Sequence, residues 1–285
     1  MRSLLACPEA IDSDIYIFID GPKDHKSRDL VDKTISVLRR LVGSSATFVI
    51  SETNIGCRES IVTGVSRLCA QAGSAIAIED DLVVHPAFLQ YINDALCQLE
   101  PYSQVMHISG YMYPVKEFRN IDHGLFFPFM IPWGWATWAR AWRHYDPVGS
   151  DAGLLQTDAK LRFTFDFEDA RDYSGMLNHQ LTGKMDAWDI LWYWSMFRQG
   201  GLGYFPPQTL VKNIGFDGSG THGFLSARFG IGRQILAPAA YRLSIPEVAP
   251  ATGGVHKAMW RASAKIGKRG IVHRLKTVKK MLLPR

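Results

Sequence analysis

Long apolar runs are missing from this 285-residue chain. None approaches the ~20 residues that cross a hydrocarbon core, and no signal-peptide pattern opens the sequence, so a soluble, cytoplasmic protein is expected. Cysteine is scarce: Cys7, Cys57, Cys69 and Cys97 have neither metal-type nor redox spacing. Reduced, mostly buried thiols follow from that. Internal repeats and low-complexity linkers are also absent. Acidic residues stop at Glu247, while ten Lys or Arg lie between Lys257 and Arg285. The first 247 residues hold 22 basic and 27 acidic side chains, a net of −5, so the overall charge of +5 belongs to the tail. No recognised nucleic-acid module accompanies that charge, and nucleic acid is not an expected partner.

What is present is an alternation of β-favouring runs and amphipathic stretches. Ile15 to Ile19 reads as a buried strand closed by the turn residues Asp20, Gly21 and Pro22. Asp29 to Val42 carries Leu30, Ile35, Leu38 and Leu41 at helical spacing. A strand follows at Ala46–Ile50, a helix at Ser60–Ala70, a strand at Ala75–Ile78, a helix at Pro86–Leu99 and a strand at Val105–Ser109. Strands alternating with helices predict an α/β fold with a mainly parallel sheet flanked by helices. From about Tyr111 the pattern turns irregular and aromatic, with Trp133, Trp135, Trp138 and Trp142 interrupted by Pro132 and Gly134. Asp151–Leu181 reads as largely helical, Asp186–Arg198 as a Trp-rich helix, and Gly200–Thr221 as a loop with one short strand. The partition expected is a nucleotide-type half over 1–110, an acceptor and catalytic half of the same domain over 111–225, and a C-terminal extension over 226–285.

The chemistry begins at Glu79, Asp80 and Asp81, which close the strand run and precede Leu82. Open α/β sheets bind ligands at the carboxyl ends of their strands. Three adjacent carboxylates repel one another unless a cation sits among them, and Mg²⁺ or Mn²⁺ takes such oxygen ligands together with substrate phosphates. The alternative is helix capping, with Asp80 or Asp81 at the start of the helix near Pro86.

Six segments in this order carry a resemblance: Phe18-Ile-Asp-Gly-Pro-Lys23, Asn54-Ile-Gly56, Ile78-Glu-Asp-Asp-Leu82 with Pro86 and Phe88, Ile108-Ser-Gly110, Trp133-Gly-Trp-Ala-Thr-Trp138 with Trp142, and Asn213-Ile-Gly-Phe-Asp-Gly-Ser-Gly-Thr-His222. Over residues 3 to 225 the chain resembles GT-A glycosyltransferases, close to a bacterial group of sugar transferases and more distantly similar to the N-acetylglucosaminyltransferase I family. The resemblance implies a Rossmann-like GT-A fold, a UDP-type nucleotide-sugar donor, a glycan or glycolipid acceptor in surface polysaccharide assembly, and Mn²⁺ or Mg²⁺ on the donor diphosphate.

By the same resemblance Asp81 is the direct metal ligand, Asp80 faces the donor's ribose or sugar, and Glu79 lies farther off. Asp20 and Gly21 match the strand-end segment near the nucleotide, and Asn54 and Gly56 the loop before the nucleotide-side helix. Arg58 offers the diphosphate a cation, or else pairs with a neighbouring acid. Inverting transfer needs a carboxylate to take the acceptor hydroxyl's proton. Asp186 is the first choice for it and Asp189 the second, with an N-cap as the alternative for Asp186. His222 is a further metal ligand or a solvated loop histidine, and Asp217 is a weaker candidate. Trp133, Trp135 and Trp138 are expected to wall a sugar pocket; Trp188 and Trp192, four apart, suit a pocket or a core equally.

Related chains carry one more strand and helix before Arg2 to Cys7, so a mid-sheet strand beside Ile15–Asp20 is expected to be wanting, either because the true start lies upstream of Met1 or because the chain is a degraded homologue. Two other functions compete. A nucleotidyltransferase would also use clustered acids, but the Gly-rich, Lys/Arg-bearing phosphate loop it needs after the first strand is not seen. A non-catalytic sugar- or membrane-binding protein is the other. In the tail, Ile271, Leu275, Val278 and Leu282 share one helical face with Arg274, Lys276, Lys279 and Lys280 around it, a pattern suited to an anionic membrane surface or to packing on the main domain. Co-sedimentation with anionic liposomes is expected to fall when residues 255–285 are removed; unchanged partitioning counts against membrane binding.

Overall fold

The computed structural model describes residues 1–215 and 243–266. The candidates His222 and Asp217 and the basic helix over 271–282 lie outside the described residues. After a short helix α1 (Arg2–Leu5), strand β1 (Ile15–Ile19) runs into helix α2 (His25–Val42), strand β2 (Ala46–Ile50), helix α3 (Cys57–Ala72) and strand β3 (Ser74–Ala77). Helix α2 starts four residues before its apolar pattern, because Asp24 and Ser27 form a reciprocal capping box. Strand β4 (Leu82–Val84), helix α4 (Phe88–Leu99) and strand β5 (Val105–Ser109) complete the first half. Phe88, Leu89, Ile92, Ala95 and Leu99 form the buried stripe of α4, at the spacing a helix needs to cover a sheet.

The aromatic segment yields strands β6 (Leu125–Phe127) and β7 (Trp135–Trp138), neither of which the sequence reading identified. Short helices α5 (Ala139–Trp142), α6 (Leu154–Thr157) and α7 (Ala159–Phe165) lead to α8 (Tyr173–Leu181), α9 (Asp189–Arg198), β8 (Leu202–Phe205) and β9 (Val211–Asn213).

The fold is α/β, but the strands are not arranged as a mainly parallel sheet. A five-stranded sheet runs β3-β7-β5-β8-β6. Within it only β5 and β8 are parallel; β7 runs antiparallel between β3 and β5, and β6 antiparallel to β8. Strands β1 and β2 form a separate parallel pair, and β4 pairs antiparallel with β9. The reason for the difference is β7, a return strand from the second half that enters between two strands of the first. The two halves therefore share one sheet, centred on β5, whose five residues are all buried.

Among the described residues, the edge of β1 away from β2 and the edge of β3 away from β7 have no ladder partner. Helix α3 packs on both strands, with Phe18 of β1 against Gly64 and with Val65 and Cys69 buried. Helix α2 buries only Val42 and leaves Leu30 64% exposed, so this side of the molecule is thinly covered.

Residues 253–266 are helical and bury Ala258, Met259 and Ala264. This part of the C-terminal extension belongs to the folded body, so a deletion that tests the basic tail has to begin after Ile266. Among the described residues no helix is long and apolar enough to cross a membrane.

One buried histidine sets an acid sensitivity. His107 on β5 is fully buried, stacks on Trp135 at 5.3 Å, and places Nε2 3.1 Å from the Ile131 carbonyl. Burial lowers its pKa from the ordinary 6.5 to about 3. Below 6.5 the unfolded imidazole gains a proton that the folded one refuses, so this contribution to stability is lost as pH falls toward 3. The expected slope is about 1.4 kcal/mol per pH unit in that window. Denaturant titrations of the wild type and of His107→Gln, which keeps a donor for Ile131, should show a shallower acid dependence in the variant. An identical slope assigns the sensitivity elsewhere.

Candidate functional site

Asp20, at the end of β1, organises the first wall of the site. Its Oδ1 accepts the backbone N–H groups of Gly21 at 2.9 Å and Ile55 at 2.7 Å. Its Oδ2 accepts Gly56 N–H at 2.9 Å and the Asn54 amide at 2.7 Å. Asn54 also donates to the Gly21 carbonyl at 3.0 Å. The carboxylate thus ties the end of β1 to the loop that opens α3. Gly21 is required there, since a Cβ would sit 2.3 Å from the Thr53 carbonyl carbon. Asp20, Gly21, Asn54 and Gly56 come together as expected, but Asp20 spends its lone pairs on the loop rather than facing a ligand.

The acidic triplet lies at the end of β3. Strand β9 returns antiparallel along β4, setting Asn213 opposite Leu82, and Ile214 N–H donates to the Asp81 carbonyl at 2.8 Å. The Asn213 side chain hydrogen-bonds the Asp81 carboxylate, which burial otherwise raises in pKa. Gly215 passes so close that a Cβ would meet Asp81 Oδ2 at 2.6 Å. Glu79 is pushed up to about 8, by burial first and then by the charges of Asp81, Asp189 and Asp80. None of the three carboxylates has a Lys or Arg within ion-pair distance among the described residues. Such uncompensated charge fits a cation. Among the described residues, however, no three carboxylate, imidazole or thiol groups gather closely enough to hold a metal unaided.

The second half brings in Asp186 and Asp189. Helix α9 begins at Asp189, three residues later than the sequence predicts, because residues 183–188 form a loop in which the Gln180 side chain accepts Ala187 N–H at 2.6 Å. Asp186 is therefore not an N-cap. It pairs instead with Arg58 in the first turn of α3, Oδ1 to Nε at 2.5 Å, and lies beside Gly56. Arg58 thus takes its predicted alternative, the ion pair. Asp189 is half-buried and its Oδ1 accepts Ile190 N–H at 2.9 Å.

Cys57 reports how these groups converge. Its thiol is raised to about 11 by partial burial and then by Glu79, Asp80, Asp186 and Asp189. Acids from two distant segments therefore lie within electrostatic reach of the start of α3.

Trp135 and Trp138, expected in a pocket wall, and Trp188, which suited a pocket or a core equally, are core residues. Trp135, Trp138 and Trp188 are 1%, 4% and 5% exposed. Trp135 stacks on Trp188 at 4.8 Å, and Trp138 donates from Nε1 to the Leu96 carbonyl at 3.1 Å. Trp135 and Trp138 are buried because β7 is an interior strand, which the sequence did not reveal. Only Trp133, half-buried and edge-on to Tyr111 at 4.5 Å, remains in a position to meet a ligand. The buried Asn213 and its bond to Asp81 went unassigned in the sequence; the signal was its place at the head of the last motif.

Compared with known proteins, the chain matches no family model and no curated protein.

The Asp20 clasp makes a stability prediction. Asp20→Ala leaves four donors without their acceptor at a partly solvated loop, and a loss of about 1–2 kcal/mol is expected in denaturant unfolding. Asp20→Asn should lose less, since one carbonyl oxygen remains. Wild-type stability in Asp20→Ala would show that the clasp is incidental.

Proposed function

We propose that the chain is a metal-dependent glycosyltransferase of GT-A type that moves a sugar from a UDP-type nucleotide donor to a glycan or glycolipid acceptor with inversion. The observation that carries this reading is the convergence of Glu79, Asp80, Asp186 and Asp189 on the start of α3, beside a triplet that lacks a cationic partner among the described residues. A nucleotide diphosphate with its divalent ion supplies the missing positive charge and places an anion at the amino end of a sixteen-residue helix.

In this reading Asp81, oriented by Asn213, and Asp80 hold Mn²⁺ or Mg²⁺. The ion's contribution when bound is to neutralise the diphosphate that leaves. The loop tied by Asp20 sets the backbone of Asn54 and Gly56 against the nucleotide. Arg58 has two anionic partners to choose between. As the diphosphate takes its guanidinium, Asp186 is released from the ion pair and becomes free to accept the acceptor hydroxyl's proton. Donor binding then precedes the appearance of a competent base. Asp189 is the second candidate, in the same acid group. A peripheral position on an anionic membrane would bring a glycolipid acceptor within reach, through a tail that lies outside the described residues.

A second reading, a homologue that binds sugar or membrane without turnover, draws its support from the unpartnered edges of β1 and β3 and from the lack of a three-ligand cluster among the described residues.

Thermal shift and donor turnover distinguish the two. Mn²⁺-dependent stabilisation by UDP is expected, with loss in Asp81→Ala. Asp186→Asn should abolish transfer and leave UDP binding intact. Near-normal turnover in that variant moves the base to Asp189, and no response to any nucleotide sugar with Mn²⁺ sinks the transferase reading.

A further inference from the structure

Between α7 and α8 the backbone adopts an expensive conformation. Phe167, Glu168 and Asp169 take successive left-handed φ angles of 51°, 56° and 59°, a conformation unfavourable for non-glycine residues because Cβ crowds the following carbonyl oxygen. The turn is secured from several sides. Phe167 is 3% exposed and packs on Phe129 at 5.0 Å and His256 at 5.3 Å. Trp260 donates to the Glu168 carbonyl at 3.0 Å, and His256 Nε2 lies 3.4 Å from the Glu168 carboxylate. The buried Asp166 carboxylate accepts both the N–H and the hydroxyl of Ser174 at 2.7 Å, while its carbonyl accepts Arg171 N–H at 3.0 Å.

What this turn presents is the side chain of Arg171. Its guanidinium stands 5.3 Å from the centre of the Tyr173 ring, within electrostatic reach of Tyr111, Tyr113 and Asp189. Tyr111 meets Tyr113 edge to face at 5.7 Å and Trp133 at 4.5 Å, so this aromatic corner continues to the half-buried tryptophan of the candidate site. The other half-buried arginines have polar partners: Arg140 donates to the Val105 and Leu99 carbonyls, and Arg58 pairs with Asp186. Arg171 is also partly buried, yet among the described residues its guanidinium makes no hydrogen bond and has no carboxylate within ion-pair distance. Removing a cation from water without a counter-charge is unfavourable. A guanidinium's planar fork matches a carboxylate or a phosphate through paired hydrogen bonds.

We propose that Arg171 reads an anionic substituent, a carboxylate or a phosphate ester, on the acceptor saccharide. The word acceptor rests on the transferase reading; the anion site rests on the geometry of Arg171. Arg58 belongs to the start of α3 in the first half of the chain, and Arg171 to the half that carries Trp133 and Asp189. The acceptor's charge then fixes its orientation, with the reacting hydroxyl directed to the acids at the start of α9. A neutral saccharide forgoes this contact and leaves the guanidinium without its counter-charge.

Isothermal titration of the full chain with glucuronate, a hexose phosphate and neutral glucose, at matched ionic strength, tests the proposal without donor or turnover. One or both charged sugars should bind and glucose should not, and which one binds identifies carboxylate or phosphate. Arg171→Gln should weaken that binding roughly 10- to 100-fold. Arg171→Lys, which keeps the charge and loses the fork, should retain part of it, and the exposed control Arg261→Gln all of it. Circular dichroism melts of each variant establish that the turn still folds. Equal binding of glucose, no response to any of the three, or anion binding undiminished in Arg171→Gln overturns the proposal. Loss of UDP and Mn²⁺ binding beside intact Arg171-dependent anion binding removes the transferase reading alone.

Discussion

The face-to-face contact of Trp135 with Trp188 joins two parts of the chain that have no sequence proximity. Trp135 belongs to β7, whose ladder with β3 fixes the strand that ends in Glu79, Asp80 and Asp81. Trp188 immediately precedes α9 and so determines where Asp186 and Asp189 emerge. With ring centres 4.8 Å apart and planes within 20°, the stack converts a register in the sheet into a position for the acids. Trp142 and Trp192 extend the same cluster. An aromatic pair is worth only about 0.5–1.5 kcal/mol beyond its burial, so its importance here is geometric more than energetic.

Around that framework the electrostatics are left unbalanced. Near the start of α3, burial and then the charges of Asp81, Asp189 and Asp80 raise the pKa of Glu79. Folding alone would favour neutralising such a group with a lysine or removing it from the interior. Arg58 pairs only with Asp186, the more exposed member of that pair. The charge of the triplet keeps no Lys or Arg within ion-pair distance among the described residues.

Strands β1, β2 and β5 were legible to the residue, because each is rich in β-branched and other apolar residues and is bounded by a turn or by polar residues. Strands β4, β6 and β7 were not. Three or four residues are too few to show a period, and in β7 every residue is buried, so alternation vanishes. That miss had two consequences: the sheet was expected to be mainly parallel, and Trp135 and Trp138 were expected in a pocket wall. Composition cannot tell an indole in a core from one beside a sugar; only the strand's place inside the sheet does. The site residues on loops fared differently. Asp20, Asn54 and Gly56 were recognised as a group, yet their hydrogen bonding to one another could not be read from separate segments 34 residues apart. Arg171 offered no sequence signal, since its value lies in three preceding φ angles and in the lack, among the described residues, of a hydrogen bond or ion pair to its guanidinium.

The thin attachment of the β1–α2–β2 unit has a thermodynamic consequence. Apart from the hydrogen bonds of Asp20 it meets the rest of the described chain chiefly through α3, and α2 leaves most of its surface to solvent. A segment of that kind opens as a cooperative unit well below the free energy of global unfolding. A ligand gripping the Asn54–Gly56 loop must first draw on the closed population, and its observed affinity carries the free energy of that local closure. Hydrogen exchange in β1 and β2 would therefore slow on ligand binding while exchange in β5 hardly changed, because the ligand would be stabilising a subunit of the fold and not the whole.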